Sequence, residues 1–231
     1  MIQISNLSKK YGETVIFSNL NYTFENTCIY GLVGRNGAGK TTLLNILANY
    51  DKKYTGVISI DGKKMNKVDY LDMPIAYAMD HPSFFNELTI YENLLLIALG
   101  RKIKKQEAFD KIEQILKRLE LKKYEHYSPL ELSKGTIQRL NDACAIIQEE
   151  KITLFDEPFS GLDPVQMKLL ENVIVEFHKQ TRGIYIVSSH DIECLQNVCD
   201  KCLLLHNGQI KEINMGEVDR EEITKILSEG E

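Results

Sequence analysis

The sequence predicts an α/β protein with a mostly parallel sheet at its core and a helical insertion within the chain. Two short runs, KITLFDEP and GIYIVSSHD, are rich in isoleucine and valine, which is typical of strands buried on both faces of a parallel sheet. The segment between them, DPVQMKLLENVIVEFHKQT, has apolar residues at helical spacing and a proline suited to a first turn. The resulting strand–helix–strand order favours a parallel sheet.

The N-terminal residues 1–34 contain short β-branched and aromatic segments separated by turn residues, and we predict strands there, including one at 29–33. The segment GVISIDG predicts a further strand with a hairpin-type turn at Asp61-Gly62. Near the other end, KCLLLHNGQIKEIN predicts a hairpin around Asn207-Gly208. We expect a polar helix from about residue 218.

The pattern changes between residues 89 and about 148, where β-branched alternation nearly disappears. In EAFDKIEQILKRLELKK, the apolar residues Phe109, Ile112, Leu116 and Leu119 recur at helical steps. We therefore expect a single domain over 1–231, with a core at 1–82 and 150–231 and a helical subdomain at approximately 83–149.

The composition excludes some functions. The net charge of -5 provides no basic field for nucleic acid, so no nucleic-acid partner is expected. We find no secretory signal, and the longest apolar run, residues 94–99, is too short to span a bilayer. A role at a membrane is thus expected to be peripheral. Among the cysteines, Cys199 and Cys202 form an isolated CxxC, which we interpret as packing in a reducing cytosol.

The glycine-rich segment GRNGAGKTT lies between a predicted strand and a helix predicted from residue 41 to about residue 49. Its spacing, G-x4-G-K-T, is met by Gly34, Gly39, Lys40 and Thr41, and this context is the one that a phosphate-binding P-loop requires. Glycines let backbone N–H groups converge on an anion, and the helix N-terminus adds further donors. We expect Lys40 to reach the terminal phosphates and the Thr41 hydroxyl to ligate Mg²⁺. The expected nucleotide-binding residues of the loop are Gly34, Asn36, Gly37, Ala38, Gly39, Lys40, Thr41 and Thr42.

An acidic pair follows the predicted strand of ITLFDEP. Asp156 is at the position where a carboxylate would hold Mg²⁺, and Glu157 would polarise the water that attacks the γ-phosphate. Such a pair after a strand is usually a solvated turn, but its combination with a P-loop indicates a site for a nucleoside triphosphate.

Further motifs resemble those of the ATP-binding subunits of ABC transporters, and the resemblance extends over nearly the whole chain. LSKGTIQRL resembles the family's signature, FDEPFSGLD resembles its Walker B motif and D-loop, and VSSHD resembles its switch. The resemblance implies a P-loop NTPase of the ABC-ATPase fold, with an antiparallel β portion beside the parallel core and an inserted helical subdomain.

The resemblance also implies roles for individual residues. Tyr11, in KKYG, would stack on adenine. Glu157, His190 and Lys40 would be catalytic. Ser133 and Gly135 would cap the γ-phosphate bound by a second, facing cassette, and Asp163 would couple the two sites at the dimer seam.

The chain departs from the family pattern in two places, at Asp80 and in the signature. Asp80 stands where the family has a glutamine that ligates Mg²⁺, and it would bind the metal more tightly, repel the triphosphate, or turn away. In the signature, Lys134 replaces a glycine and Thr136 replaces a glutamine. Lys134 would add a positive charge opposite the triphosphate or lie in solvent.

Two surface segments have open interpretations. We interpret the basic run RKIKK, residues 101–105, as a solvated helix end, with docking to membrane subunits as the alternative. Phe84, Phe85 and Leu88 are better candidates for that docking contact, although they are equally suited to a core.

The function implied is binding and hydrolysis of ATP, with Mg²⁺, in a head-to-tail dimer of two cassettes, homo- or heterodimeric. The dimer would power transport by separate membrane-spanning subunits, with export preferred, from the cytoplasmic face of the cell membrane. Two alternatives stay open: an ABC ATPase outside transport that acts as a scaffold or remodelling factor, and a weakly catalytic regulatory cassette in a heterodimer.

Overall fold

The parallel sheet predicted from the sequence is present in a computed structural model, which describes residues 1–65, 68 and 72–213. The strands of the described residues are β1 Ile2–Tyr11, β2 Thr14–Phe24, β3 Cys28–Val33, β4 Thr55–Ile60, β5 Lys63–Lys64, β6 Ile75–Ala78, β7 Ile152–Phe155, β8 Ile184–Ser189, β9 Lys201–His206 and β10 Gln209–Ile213. The α-helices are α1 Lys40–Leu47, α2 Ile90–Gly100, α3 Lys105–Arg118, α4 Lys134–Ile146 and α5 Pro164–Thr181. The helix expected from about residue 218 lies outside the described residues.

The larger sheet has six strands in the order β10-β9-β3-β8-β7-β6. The five strands β9, β3, β8, β7 and β6 run parallel. Strand β10 pairs antiparallel with β9 at the edge of the sheet, through the predicted turn at Asn207 and Gly208. Both turn residues have positive φ, 49° and 71°, as a two-residue hairpin turn requires. The parallel core and the terminal hairpin are therefore confirmed.

A second, four-stranded antiparallel sheet has the order β2-β1-β4-β5. The predicted turn at Asp61 and Gly62, with φ of 47° and 78°, joins β4 to β5. This sheet is the antiparallel portion that the family resemblance implied.

The parallel sheet separates two apolar clusters, and β3 shows why its sequence is apolar throughout. Ile29 and Val33 pack into the cluster that contains the apolar faces of α2 to α5. Tyr30 and Leu32 face the other way, into the cluster formed with α1 and the antiparallel sheet. All six residues of β3 are buried, so the carboxyl end of this strand, where the glycine loop begins, is held firmly between layers.

Residues 90–146 contain three helices, as the periodicity predicted. Thr89 and Glu92 form a reciprocal capping box at the start of α2. On α3, Ile112 and Leu116 are fully buried, whereas Phe109 is only half-buried and packs against Tyr91 at a ring-centroid distance of 6.4 Å.

The interpretation of residues 101–105 as a solvated helix end is wrong for Arg101. Its guanidinium donates to the carbonyl oxygen of Met73 at 3.0 Å, to that of Ile75, and to Oε1 of Gln148 at 2.6 Å. A guanidinium has five donors, so one buried side chain can satisfy several carbonyls at the start of β6. Arg101 therefore ties the end of α2 to the parallel sheet, while Lys102 is exposed.

The cysteines are free thiols, and the CxxC residues pack against the sheet as predicted. Cys202 is buried in β9, and Cys199 packs over β3, where a Cβ on Gly31 would lie 2.8 Å from its Sγ.

Candidate nucleotide-binding site

The glycine loop forms one wall of a cleft of about 500 Å³ at the carboxyl end of the parallel sheet. Asn36, Gly37 and residues 39–42 of the loop line this cleft. Four side chains that the sequence assigned to the same site line it from outside the loop, namely Tyr11, Asp80, Glu157 and His190. The fold thus brings together residues that are as much as 179 positions apart in the chain, counting from 11 to 190.

Two glycines of the loop are required by the backbone. Gly39 has φ of 101°, and a Cβ there would lie 2.7 Å from Cγ2 of Ile16. At Gly34, a Cβ would lie 2.8 Å from the carbonyl oxygen of Leu205. Gly39 is also the N-cap of α1 and provides no side-chain hydrogen bond, and the first turn of α1 has no acidic residue. The first-turn N–H groups of α1 therefore face the cleft without a side-chain cap, which suits an anion.

Lys40 is almost completely buried, with 6% of the residue exposed. Its ammonium donates to the carbonyl oxygens of Gly34, at 2.7 Å, and Arg35, at 3.3 Å. It also lies 3.2 Å from Oε1 of Glu157. The lysine is thus held across the loop and points towards the carboxylate on the opposite wall.

Asp156 is fully buried directly after β7. The Ser188 hydroxyl donates to Oδ1 at 2.6 Å, and the Tyr77 hydroxyl donates to Oδ2 at 3.3 Å. Burial raises the pKa of Asp156, and the charges of Asp80 and Glu157 raise it further, against hydrogen bonds from Ser188 and Thr41. A carboxylate in this environment is one that a nearby cation stabilises.

Glu157 is held in a conformation that few non-glycine residues adopt, with φ of 51°. Its N–H donates to the Ser188 hydroxyl at 3.0 Å, so a single serine contacts both acidic residues. Its Oε2 accepts from the N–H of His190 at 3.3 Å and lies 2.9 Å from Nδ1 of the same residue. Since an ionised carboxylate can only accept, Nδ1 carries the hydrogen in this pair, and Nε2 takes no part in it.

Asp80 lies on the wall of the cleft and its side chain is 43% exposed. Its Oδ2 lies 3.5 Å from Nε2 of His81. Its charge contributes to the raised pKa of Asp156, which is fully buried and does not line the cleft. The carboxyl groups of Asp80, Asp156 and Glu157 therefore share one electrostatic environment.

The residues assigned to a facing cassette, Ser133, Gly135 and Asp163, do not line this cleft. Ser133 is the N-cap of α4, and its Oγ lies 2.8 Å from Oγ1 of the buried Thr136. Asp163 is the N-cap of α5 and accepts from two first-turn N–H groups at 2.9 Å. Both side chains thus have a local role in capping, in addition to any role across a dimer.

A Cβ at position 135 would lie 2.8 Å from Oε1 of Gln166, so the Gln166 side chain would have to shift to admit a larger residue. Lys134 is exposed at the start of α4, and its side chain lies beside Gly161, where a Cβ would be 3.4 Å from Cδ of the lysine. The signature segment and the FSGLD segment of one chain therefore pack against each other.

Sequence analysis did not single out Ser188, Tyr77, Arg35 or Ser160. Ser188 was detectable in principle, because a hydroxyl in an otherwise apolar buried strand must find a partner. Arg35 and Ser160 line the cleft, and nothing in their local sequence pattern distinguishes them from loop residues.

The glycine loop lies between a buried parallel strand and a helix that begins with a lysine, and two carboxyl groups follow a neighbouring strand. This arrangement defines the chain as a P-loop nucleotide-binding protein. The ABC transporter family model matches residues 17–160. The chain belongs to this family, and it is an ATPase.

Curated relatives and solved structures agree with this assignment. An uncharacterised ABC transporter ATP-binding protein of Methanocaldococcus jannaschii is 31% identical over 94% of this chain and 78% of the relative. A bacitracin transport ATP-binding protein of Enterococcus faecalis is 29% identical over 95% of this chain and 71% of the relative. A probable sulfate/thiosulfate import ATP-binding protein of Chlorella vulgaris is 32% identical over 92% of this chain and 90% of the relative.

Among solved structures, the ATP-binding subunit of an ABC transporter matches with a TM-score of 0.84 at 25% identity, covering 100% of this chain and 95% of that one. A dimeric post-hydrolysis state of an ATP-binding cassette, bound to ADP and Pi, matches with a TM-score of 0.83 at 25% identity, covering 93% and 98% of the two chains. Within the described residues of the present chain, no helix is both long and apolar enough to cross a bilayer.

Proposed function

We propose that this chain binds Mg²⁺ and ATP in the cleft described above and hydrolyses the γ-phosphate after pairing with a second cassette. The observation that carries the proposal is the convergence of Lys40 and His190 on the two oxygens of Glu157, beside the uncapped N-terminus of α1. The N–H groups of the loop and the Lys40 ammonium bind the phosphates, and Glu157 accepts a proton from water while His190 holds its carboxylate in position.

The side chains present are suitable for Mg²⁺. Asp156 is a buried carboxylate whose hydrogen-bond partners include the Thr41 hydroxyl, and oxygen ligands of this kind are those that Mg²⁺ prefers. We assign Thr41 and Asp156 to hold the ion, with Asp80 as a third oxygen ligand on the cleft wall. When bound, Mg²⁺ would neutralise charge on the β- and γ-phosphates.

The proposed dimer follows from the positions of the signature residues. Ser133 and Gly135 are at the start of α4 and do not line the cleft of their own chain. A facing copy would bring this helix start to the γ-phosphate, with Asp163 at the seam between the two chains. The dimeric cassette with bound ADP and Pi, similar over 93% of this chain, supports this arrangement.

We further propose that the dimer powers transport by separate membrane-spanning subunits, as a peripheral protein on the cytoplasmic face. A second cleft, of about 320 Å³, lies between the core and the helical segment and is lined in part by Tyr50, Phe84 and Phe85. Phe85 is 59% exposed, and we assign these aromatic side chains to the contact with a membrane subunit. Export stays our proposed direction, although the name of the sulfate/thiosulfate import relative stands against it and that of the bacitracin transport relative gives no direction.

The test combines gel filtration with co-purification. Glu157→Gln protein should elute as a dimer with excess Mg-ATP and as a monomer without nucleotide, and a monomer under both conditions would contradict the sandwich. In cells, the tagged chain should co-purify from membranes with an integral protein that alters its ATPase rate. Recovery of only the chain itself, with an ATPase that no membrane fraction changes, would contradict the transport role.

One observation favours a second candidate, a weakly catalytic regulatory cassette in a heterodimer. Asp80 places a further carboxyl group on the wall of a cleft that must accept a triphosphate. ATPase rates of the purified chain alone and with a second cassette from the same cell distinguish the two, because a regulatory cassette gains activity only with its partner.

A further inference from the structure

Tyr11, the residue assigned to the adenine base, is restrained by two neighbours that have no place in the site as described so far. It is the last residue of β1, and half of it, 51%, is exposed. An exposed tyrosine at a strand end normally samples more than one rotamer. Here the ring and the hydroxyl are both held.

Lys9 holds the face of the ring. It is two residues earlier on β1 and is buried, with only 4% of the residue exposed. Its ammonium lies 4.3 Å from the centroid of the Tyr11 ring, within the range of a cation–π contact. One face of the ring is therefore covered, and the opposite face is the one available for stacking.

Asp51 holds the hydroxyl of the ring. The Tyr11 hydroxyl donates to Oδ2 of Asp51 at 2.8 Å, and the Lys9 ammonium lies 2.6 Å from the same oxygen. Lys9 also donates to the carbonyl oxygen of Lys53 at 2.9 Å, so its buried charge is paired. Burial raises the pKa of Asp51, but the hydrogen bonds from Lys9, Tyr11 and the N–H of Lys53 outweigh it, and the net pKa is lowered.

Asp51 is in turn attached to the helix that carries the phosphate-binding lysine. Its N–H donates to the carbonyl oxygen of Asn45 in α1 at 3.1 Å. Helix α1 begins at Lys40 and ends at Leu47, so it spans about 12 Å at 1.5 Å per residue. The phosphate-binding Lys40 is at the start of this helix, and Asp51, which accepts from the Tyr11 hydroxyl, follows just after its end.

We propose that Lys9 and Asp51 are positioning residues that hold the Tyr11 ring in one orientation, with its face opposite Lys9 presented to the purine base. The inference rests on the proposed function, in which Tyr11 stacks on that base. A ring that is already oriented loses less conformational freedom when the base binds, so the restraint raises the affinity for nucleotides that have a base. It leaves the affinity for the phosphate chain unchanged.

The experiment measures dissociation constants for Mg-ATP and for inorganic tripolyphosphate with Mg²⁺, together with the KM and kcat of the ATPase. Lys9→Met removes the ammonium at similar length, and Tyr11→Phe keeps the ring but removes the bond to Asp51. We expect each to raise the dissociation constant and KM for ATP by about threefold to tenfold, with kcat and tripolyphosphate binding unchanged. Lys10→Met is the matched control, because Lys10 is the next residue of β1 and is exposed.

Two outcomes would overturn the inference. One is an ATP affinity in Lys9→Met and Tyr11→Phe equal to that of Lys10→Met. Another is an equal loss of ATP and tripolyphosphate affinity, which would indicate a general structural defect. If Lys9→Met does not fold, Tyr11→Phe alone decides, since Tyr11 is half-exposed and this substitution keeps its ring.

Tyr11→Ala separates this inference from the proposed function. If Tyr11→Ala weakens ATP but not tripolyphosphate while Lys9→Met and Tyr11→Phe have no effect, stacking stands and positioning is wrong. If Tyr11→Ala leaves the ratio of the two affinities unchanged, the assignment of the base to Tyr11 is wrong, and the inference falls with it.

Discussion

The Lys40 ammonium and the Glu157 carboxylate, on opposite walls of the cleft, lie 3.2 Å apart. The pair joins the group assigned to the phosphates with the group assigned to the attacking water. Both side chains are largely buried, at 6% and 15% exposed, so the attraction is only weakly screened by solvent. A triphosphate that enters the cleft would compete with Glu157 for the Lys40 ammonium. Phosphate binding would therefore weaken the ion pair that restrains the Glu157 carboxylate.

Lys40→Ala should weaken Mg-ATP binding by at least about tenfold, since a hydrogen bond to a charged group contributes about 1.5–3 kcal/mol. Isothermal titration with ATP measures the change. Lys52→Ala is the control, because Lys52 is an exposed lysine just after α1 and should bind ATP normally. Unchanged affinity in Lys40→Ala would remove the P-loop assignment.

Glu157→Gln should retain ATP binding but lose at least about a hundredfold in hydrolysis rate, the usual contribution of a general base. The amide cannot accept a proton from water, while its oxygen can still face Lys40 and its shape is unchanged. Single-turnover hydrolysis of labelled ATP by the dimeric protein measures the rate. A rate within threefold of the parent protein would show that Glu157 is not the base.

Asp80→Gln should lower the ATPase rate at limiting Mg-ATP, because it replaces the proposed third carboxylate ligand of Mg²⁺ with a neutral amide oxygen. It should also lower the pKa of Asp156, since Asp80 contributes to the raised value. Steady-state ATPase against ATP concentration measures the effect, with His81→Gln as the control for the neighbouring exposed position. A rise in the rate would instead show that Asp80 repels the triphosphate and is not a metal ligand.

Asp142 provides a prediction about stability rather than catalysis. It is fully buried in α4, and among the described residues neither carboxylate oxygen has a hydrogen-bond partner. Burial raises its pKa well above the ordinary value of 3.8, and the neighbouring Gln138 side chain, which makes no hydrogen bond to it, lowers the pKa less than burial raises it. The folded protein therefore holds this proton more tightly than the unfolded chain does.

The sign follows from linkage. The unfolded chain loses the proton first as the pH rises, so this group's contribution to the free energy of unfolding falls from pH 3.8 up to the folded pKa. Asp142→Asn should abolish that fall and raise the free energy of unfolding at pH 7.5 by roughly 1–3 kcal/mol. Urea unfolding at pH 5.5 and 7.5 measures it, with exposed Asp110→Asn as the control. Equal pH slopes in all three proteins would contradict the prediction.

Local patterns were sufficient for much of the fold. The glycine loop, the buried strands β7 and β8 and the first turn of α5 at Pro164 each depend on residues within a few positions of one another, so spacing predicts them. Family resemblance added the antiparallel sheet and the residues expected to face the loop, because the order of the motifs specifies a known arrangement.

What only the tertiary structure decided depends on contacts between distant residues. Ser188 contacts Asp156 and Glu157 across 32 and 31 positions, and Arg101 reaches Met73 across 28. Lys9 and Asp51, separated by 42 positions from 9 to 51, meet at the Tyr11 ring. Periodicity in a sequence reports which face of an element is apolar, but a polar side chain is paired by whichever element the fold packs beside it. The amino-acid order by itself therefore determined the strand core and the phosphate loop, and the packing of the two sheets decided which polar groups support them.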